Sequence, residues 1–294
     1  MAHSLSGLSV DVVPFDEYDA ATTYIQEHTK HKRPQILIIC GTGLGEIAHI
    51  LQEPEEILYR DIPHFPVPLG SIEHKGCLVL GILHGRTVMC MQGRAHGYEG
   101  YSVQKVTLPV RVAGLLGVKC MIVTNSAGGL NVAYRTGDFM IIKDHIYLPG
   151  LVGNNPFVGP HDLRLGHRFP HLSPVYDHDL RRIAREVAAE RGIDNKVHGG
   201  VYCMIFGPMF ATNAETLLIQ QKLGADAAGM STCPEVVVAK QMNMRILGIS
   251  VITESIAEFA TVGPMTENLV AEEENKASKV LQPFVADIVA RIDV

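Results

Sequence analysis

Four glycine-bearing segments hold most of the residues that could act on a ligand: 41–45 (GTGLG), 92–100 (QGRAHGYEG), 124–130 (TNSAGGL) and 229–232 (GMST). In the first, three glycines around the Thr42 hydroxyl suit an oxyanion ringed by backbone N–H groups at a helix start. A dinucleotide turn is related, but its fingerprint is GxGxxG. The GxGxG spacing here also fits a purely structural turn. In the second, Arg94 offers a bidentate anion clamp, His96 a second donor, Tyr98 a ring with a polar tip and Glu99 a carboxylate. A solvated loop has the same composition. In the third, Asn125 and Ser126 are short polar side chains beside two glycines that allow close backbone approach, and a tight turn is an equal explanation. In the fourth, Pro234 and Glu235 open a helical pattern behind Ser231, whose hydroxyl is either an N-cap or an anion ligand.

The elements that must position these residues are legible as apolar runs at 36–40, 77–83, 87–91, 120–124, 139–142 and 245–253. Such continuous runs read as strands covered on both faces. Helical periodicity occupies 15–30, 103–116, 177–191, 212–223, 234–242 and 267–292, with Pro283 expected to kink or interrupt the last. Strands alternating with helices predict an α/β fold: a single domain over 1–294 with a central mixed, partly parallel β-sheet flanked by helices. No internal repeat or linker divides it. The long irregular stretch 148–176, dense in Gly, Pro and His, is expected to be functional or to lie at an interface. Ligands of α/β sheets gather beyond the carboxyl ends of strands. Several polar loops that can donate to an anion therefore converge on one phosphate-sized ligand.

Composition narrows the class. The 294 residues carry 25 Lys+Arg against 31 Asp+Glu, a net charge of −6, which speaks against a nucleic-acid binder. Hydrophobic residues at 47% and charged ones at 19% suit a sizeable core. The six cysteines (Cys40, Cys77, Cys90, Cys120, Cys203, Cys233) form no CxxC pair, and several lie in apolar runs, as expected of buried reduced thiols in a cytoplasmic protein. No basic head followed by a long apolar stretch marks a leader, and no uncharged window reaches the ~20 residues of a membrane span. No phosphate-binding GKS/T motif is present. His161, His167, His171 and His178 are spaced too irregularly to read as metal ligands, so no metal or organic cofactor is expected.

These residues resemble the trimeric purine nucleoside phosphorylase family. The likeness runs through nearly the whole chain in six ordered segments: 40–45 (CGTGLG), 91–100 (MQGRAHGYEG), 107–112 (TLPVRV), 123–131 (VTNSAGGLN), 144–150 (DHIYLPG) and 223–235 (LGADAAGMSTCPE). The resemblance implies phosphorolysis, in which inorganic phosphate is a substrate that attacks C1′ of a purine nucleoside and releases base and pentose 1-phosphate. It implies a phosphate site of Thr42 (a serine in the family), His74, Arg94, His96, Ser126 and Ser231. It assigns Tyr98 and Met230 to the sugar, Glu99 to support of the 94–96 loop, and Phe210, Asn125, Ala127 and Gly128 to the base pocket. It also implies a homotrimer in which Phe169 reaches into a neighbouring subunit's site.

The base-reading positions depart from the family pattern. Ala211 stands where the family has the glutamate that accepts N1–H of 6-oxopurines, and Glu254 where it has an asparagine that donates to N7. An ionised glutamate only accepts, and it repels both O6 and the departing anion. Glu254 therefore either accepts from the exocyclic amine of adenine or stays protonated and donates to N7. The 5′-hydroxyl histidine is also missing from 265–270 (MTENLV). That leaves room for an apolar 5′ group, as in the related methylthioadenosine phosphorylases. The alternatives to a displaced base preference are such a phosphorylase and a purine-binding paralogue with little turnover.

Overall fold

The computed structural model describes residues 12–41, 45–69, 75–258 and 267–294, the side chains of 267–270 excepted. Nine strands form one mixed sheet: β1 (Ile36–Cys40), β2 (Gln52–Leu58), β3 (Cys77–Leu83), β4 (Arg86–Gln92), β5 (Cys120–Gly129), β6 (Phe139–Tyr147), β7 (Val197–Met204), β8 (Ala227–Gly229) and β9 (Arg245–Ser255). Their order is β2-β3-β4-β1-β5-β8-β7-β6-β9, and β9 also pairs with β5, so the last five strands close into a ring. Five of the pairings are parallel: β1 with β4 and β5, β5 with β9, and β7 with β6 and β8. The expected partly parallel α/β sheet is present, and its closure is the added feature.

Alternation along the strands explains the layers. On β1, Leu37 and Ile39 belong to one buried cluster, whereas Ile36, Ile38 and Cys40 belong to the other. Helices Phe15–Glu27, Leu108–Leu115 and Cys233–Gln241 cover the first face through Tyr18, Ile25, Val112, Val236 and Val238. Helices His178–Glu190 and Glu267–Arg291 cover the second through Leu180, Val187, Phe284 and Ile288. All six cysteines are buried free thiols. Among the described residues no helix is long and apolar enough to cross a membrane.

Three expectations need correction. The last helix runs uninterrupted through Pro283. An internal proline costs about 3 kcal/mol, but Phe284, Val285, Ile288 and Val289 are all fully buried, and each such side chain contributes roughly 1.5–3 kcal/mol. Packing wins there. The helix expected over 103–116 is two pieces, Val103–Val106 and Leu108–Leu115, with Pro109 in the first turn of the second, where its missing N–H costs nothing. The turn expected at 124–130 is instead largely a continuation of β5, which stays parallel to β9 as far as Gly129 opposite Ser255. Gly129 is needed there because a Cβ would lie 2.9 Å from the Ile252 side chain.

Candidate active site

Three of the four polar segments meet at one guanidinium. Arg94 follows β4 and is only 4% exposed. Its Nη2 donates to the Ser231 hydroxyl at 2.8 Å and to the Thr124 carbonyl at 3.1 Å, while Nη1 donates to Glu235 Oε1 at 3.2 Å. Among the described residues, Nε is buried without a partner. The first segment is tied to the same place, because the Gly41 N–H donates to the Thr124 hydroxyl at 3.0 Å, which in turn donates to the Ile39 carbonyl at 3.0 Å. A Cβ on Gly41 would lie 2.9 Å from Asn125 Cα, so β1 approaches β5 this closely only with glycine. Thr42 and His74, assigned to the phosphate, lie outside the described residues, as do 265 and 266 and the side chains of 267–270 at the expected 5′ end.

A second layer of hydrogen bonds sets the hydroxyls. Asn125, 1% exposed, donates from Nδ2 to the Thr232 hydroxyl at 2.8 Å, and its Oδ1 is a buried acceptor with no partner among the described residues. Thr232 sits at φ +81°, a conformation that costs a β-branched residue on the order of 1–3 kcal/mol. It, and not Ser231, occupies the N-cap of the helix Cys233–Gln241, and it caps no N–H with its side chain. The Ser231 hydroxyl is thus not a helix cap; it accepts from Arg94 and lies 3.3 Å from the Thr232 hydroxyl. Ser126 donates to the carboxylate of Glu274 on the last helix.

On the other side, the His96 N–H donates to Glu99 Oε2 at 2.7 Å, and Glu99 Oε1 accepts from the Leu69 N–H at 2.9 Å. Glu99 thereby holds the loop that carries Arg94 and His96. The His96 ring stacks on Tyr98 with centroids 4.7 Å apart. Burial, and then the Glu99 carboxylate, raise the Tyr98 phenol above its ordinary pKa, which keeps it a neutral donor. Gly207 adjoins both expected sugar residues: a Cβ there would lie 2.4 Å from Met230 Sδ and 3.3 Å from the Tyr98 ring. A small open pocket lies here, lined by His96, Tyr147, Phe206, Met230, Ser231 and Glu235, among others.

The base-side residues are arranged more loosely. Ala127 and Gly128 end β5, and the register with β9 sets Gly128 opposite the half-buried Glu254. Phe210 is 76% exposed beside the half-buried Ala211, and Phe169 is 83% exposed. Among the described residues, no hydrogen bond or ring contact ties Phe210 or Phe169 to the Arg94 cluster. Sequence reasoning missed the roles of Thr124, Thr232, Glu235 and Glu274. The feature that could have flagged Glu235 is its place one helical turn beyond Ser231; its burial, at 3% exposure, shows only in the fold.

Comparison with known proteins identifies the family. Residues 35–290 match the model of the phosphorylase superfamily. A purine nucleoside phosphorylase of Rattus norvegicus is 44% identical over 280 residues, covering 95% of this chain and 96% of the relative. The Schistosoma mansoni purine nucleoside phosphorylase solved with adenosine superposes with a TM-score of 0.89 at 42% identity, over 95% of this chain and 98% of that one. Isoform 2 of the enzyme from the same organism, solved with cytosine and ribose-1-phosphate, gives 0.89 at 39% identity over the same shares. By sequence, fold and the ordering of its polar strand ends, the chain belongs to the purine nucleoside phosphorylase family.

Proposed function

We propose that the chain cleaves the N-glycosidic bond of purine nucleosides with inorganic phosphate, giving free base and pentose 1-phosphate, and that its base preference is displaced toward 6-aminopurines. The observation that carries the reaction is the Arg94 guanidinium: buried, locked by three hydrogen bonds and, among the described residues, left with no partner for Nε. A buried donor without a partner is costly unless a ligand satisfies it. Phosphate is a ligand of suitable charge and geometry.

The chemistry follows from charge. As the C1′–N9 bond breaks, its electron pair leaves with the purine and the sugar becomes cationic. A phosphate held beneath C1′ stabilises that cation and then forms the new C1′–O bond. Arg94, His96, the Ser126 backbone and Ser231 orient the oxyanion, with Thr42 and His74 completing its site. Tyr98 and Met230 bracket the sugar. Phe210 stacks on the base, with Asn125, Ala127 and Gly128 forming the pocket floor and Phe169 supplied by a neighbouring subunit. The whole of 1–294 acts as one phosphorylase domain, working as a cytoplasmic homotrimer.

Base preference rests on Glu254 and Ala211. A carboxylate accepts from an exocyclic amine and repels a carbonyl oxygen, and without an acceptor at 211 the N1–H of hypoxanthine or guanine loses its partner. A site that leaves a buried polar group unpaired discriminates by up to ~10⁴-fold. The Schistosoma relatives are solved with adenosine and equally with inosine and guanosine, so both classes of base must be compared directly. Initial rates of phosphorolysis on adenosine, cytidine, inosine, guanosine and methylthioadenosine test the preference. Adenosine is expected to lead the 6-oxopurine nucleosides, and Ala211→Glu with Glu254→Asn to reverse that order. An order that both substitutions leave unchanged would show that these positions do not read the base.

A further inference from the structure

Glu235 is the unexpected member of the cluster. It is 3% exposed, its Oε1 accepts from Arg94 at 3.2 Å, and its Oε2 is buried with no partner among the described residues. Among the described residues it is the one carboxylate paired with Arg94. An anion site does not need a buried negative charge beside its guanidinium, and electrostatics alone would select against one. Thr124 and Ser231 already hold Nη2. Glu235 is also among the residues around the pocket that holds Ser231 and His96, so its buried charge lies beside the place an incoming oxyanion would occupy.

We propose that Glu235 is a positioning residue that acts as an internal competitor for Arg94: its fixed charge weakens the site's hold on oxyanions, so that phosphate and the sugar phosphate product both dissociate readily. The proposal rests on Arg94 as the phosphate ligand. A reaction that exchanges one phosphate species for another in a single cradle gains turnover from moderate affinity at that cradle, since excess ground-state binding does not accelerate the chemical step.

The two conservative variants separate charge from scaffolding. Glu235→Gln keeps a hydrogen-bond acceptor for Nη1 and deletes the charge; Glu235→Asp keeps the charge and withdraws it by one methylene. The expected result is a KM for phosphate about ten-fold lower in Glu235→Gln, a nearly constant KM for nucleoside, and no such drop in Glu235→Asp. A larger rise in melting temperature with about 100 mM phosphate in Glu235→Gln than in the parent protein is expected alongside. A scaffolding role predicts the opposite ranking, with Glu235→Gln unchanged and Glu235→Asp weakened, and that ranking overturns the proposal. Failure of Glu235→Gln to fold even in phosphate also overturns it, because the anion should then supply the missing charge. Arg94→Ala serves as the control: an unaltered phosphate dependence there would discredit the phosphate site itself, not the role of Glu235.

Discussion

Arg94 shows why residue type matters more than charge in this site. Its planar fork spans the Ser231 hydroxyl, the Thr124 carbonyl and Glu235 at once, which a single ammonium cannot do. Arg94→Lys is therefore expected to lower kcat/KM for phosphate by about 10²–10³, the usual loss for a displaced transition-state donor. A steady-state phosphate titration checks this, and a loss below ten-fold would mean that the fork geometry is idle. The QGRAHGYEG string offered an anion clamp and a solvated loop equally by composition, and only its convergence with the other polar strand ends pointed to an anion. Glu235, Thr232 and Glu274 were not legible, because their contributions depend on distant partners: Glu235 lies 141 positions from Arg94, and Glu274 lies 148 from Ser126.

At the scale of elements, the apolar runs predicted β1 and β3 to the residue and placed β4, β6 and β9, since a strand buried on both faces needs little but Ile, Leu, Val, Met and Cys. The strands that escaped are those whose pairing and not whose composition makes them: β2 is an acidic edge with Pro54, β7 carries two glycines, and β8 is three small residues between β5 and β7. On β6, desolvation lowers the His145 pKa to about 4, with Asp144 opposing the shift, and the ring lies 3.0 Å from the Tyr176 hydroxyl. The folded state thus binds that proton less readily than the unfolded chain, whose histidine titrates near 6.5. The stability contributed by neutral His145 is present above pH 6.5 and is lost as pH falls toward 4, by up to about 3 kcal/mol. Urea unfolding at stepped pH should show this slope, and His145→Phe should flatten it. An equal slope in both proteins would place the acid sensitivity elsewhere.

For the whole molecule, the hydrogen bonds around Arg94 are assembled within one chain, whereas the side expected to close over a nucleoside is open to solvent. Phe169 and Phe210 are both mostly exposed, and the irregular segment that carries Phe169 was expected to serve a site or an interface. Such exposure is what a site shared between subunits would require of Phe169. A trimer, three chains of 32.1 kDa, is the predicted species in light scattering. Phe169→Ala should raise the KM for nucleoside about ten-fold and leave that for phosphate nearly unchanged. A fully active monomer would remove the shared-site reading.

The account turns on phosphate as the atom donor, and that is measured directly by phosphorus NMR of the protein with adenosine or inosine in phosphate buffer. One pentose 1-phosphate should appear for each base released, with no base released when phosphate is left out. Base release at the same rate without phosphate, with free pentose as the product, would make the enzyme a hydrolase and contradict the account.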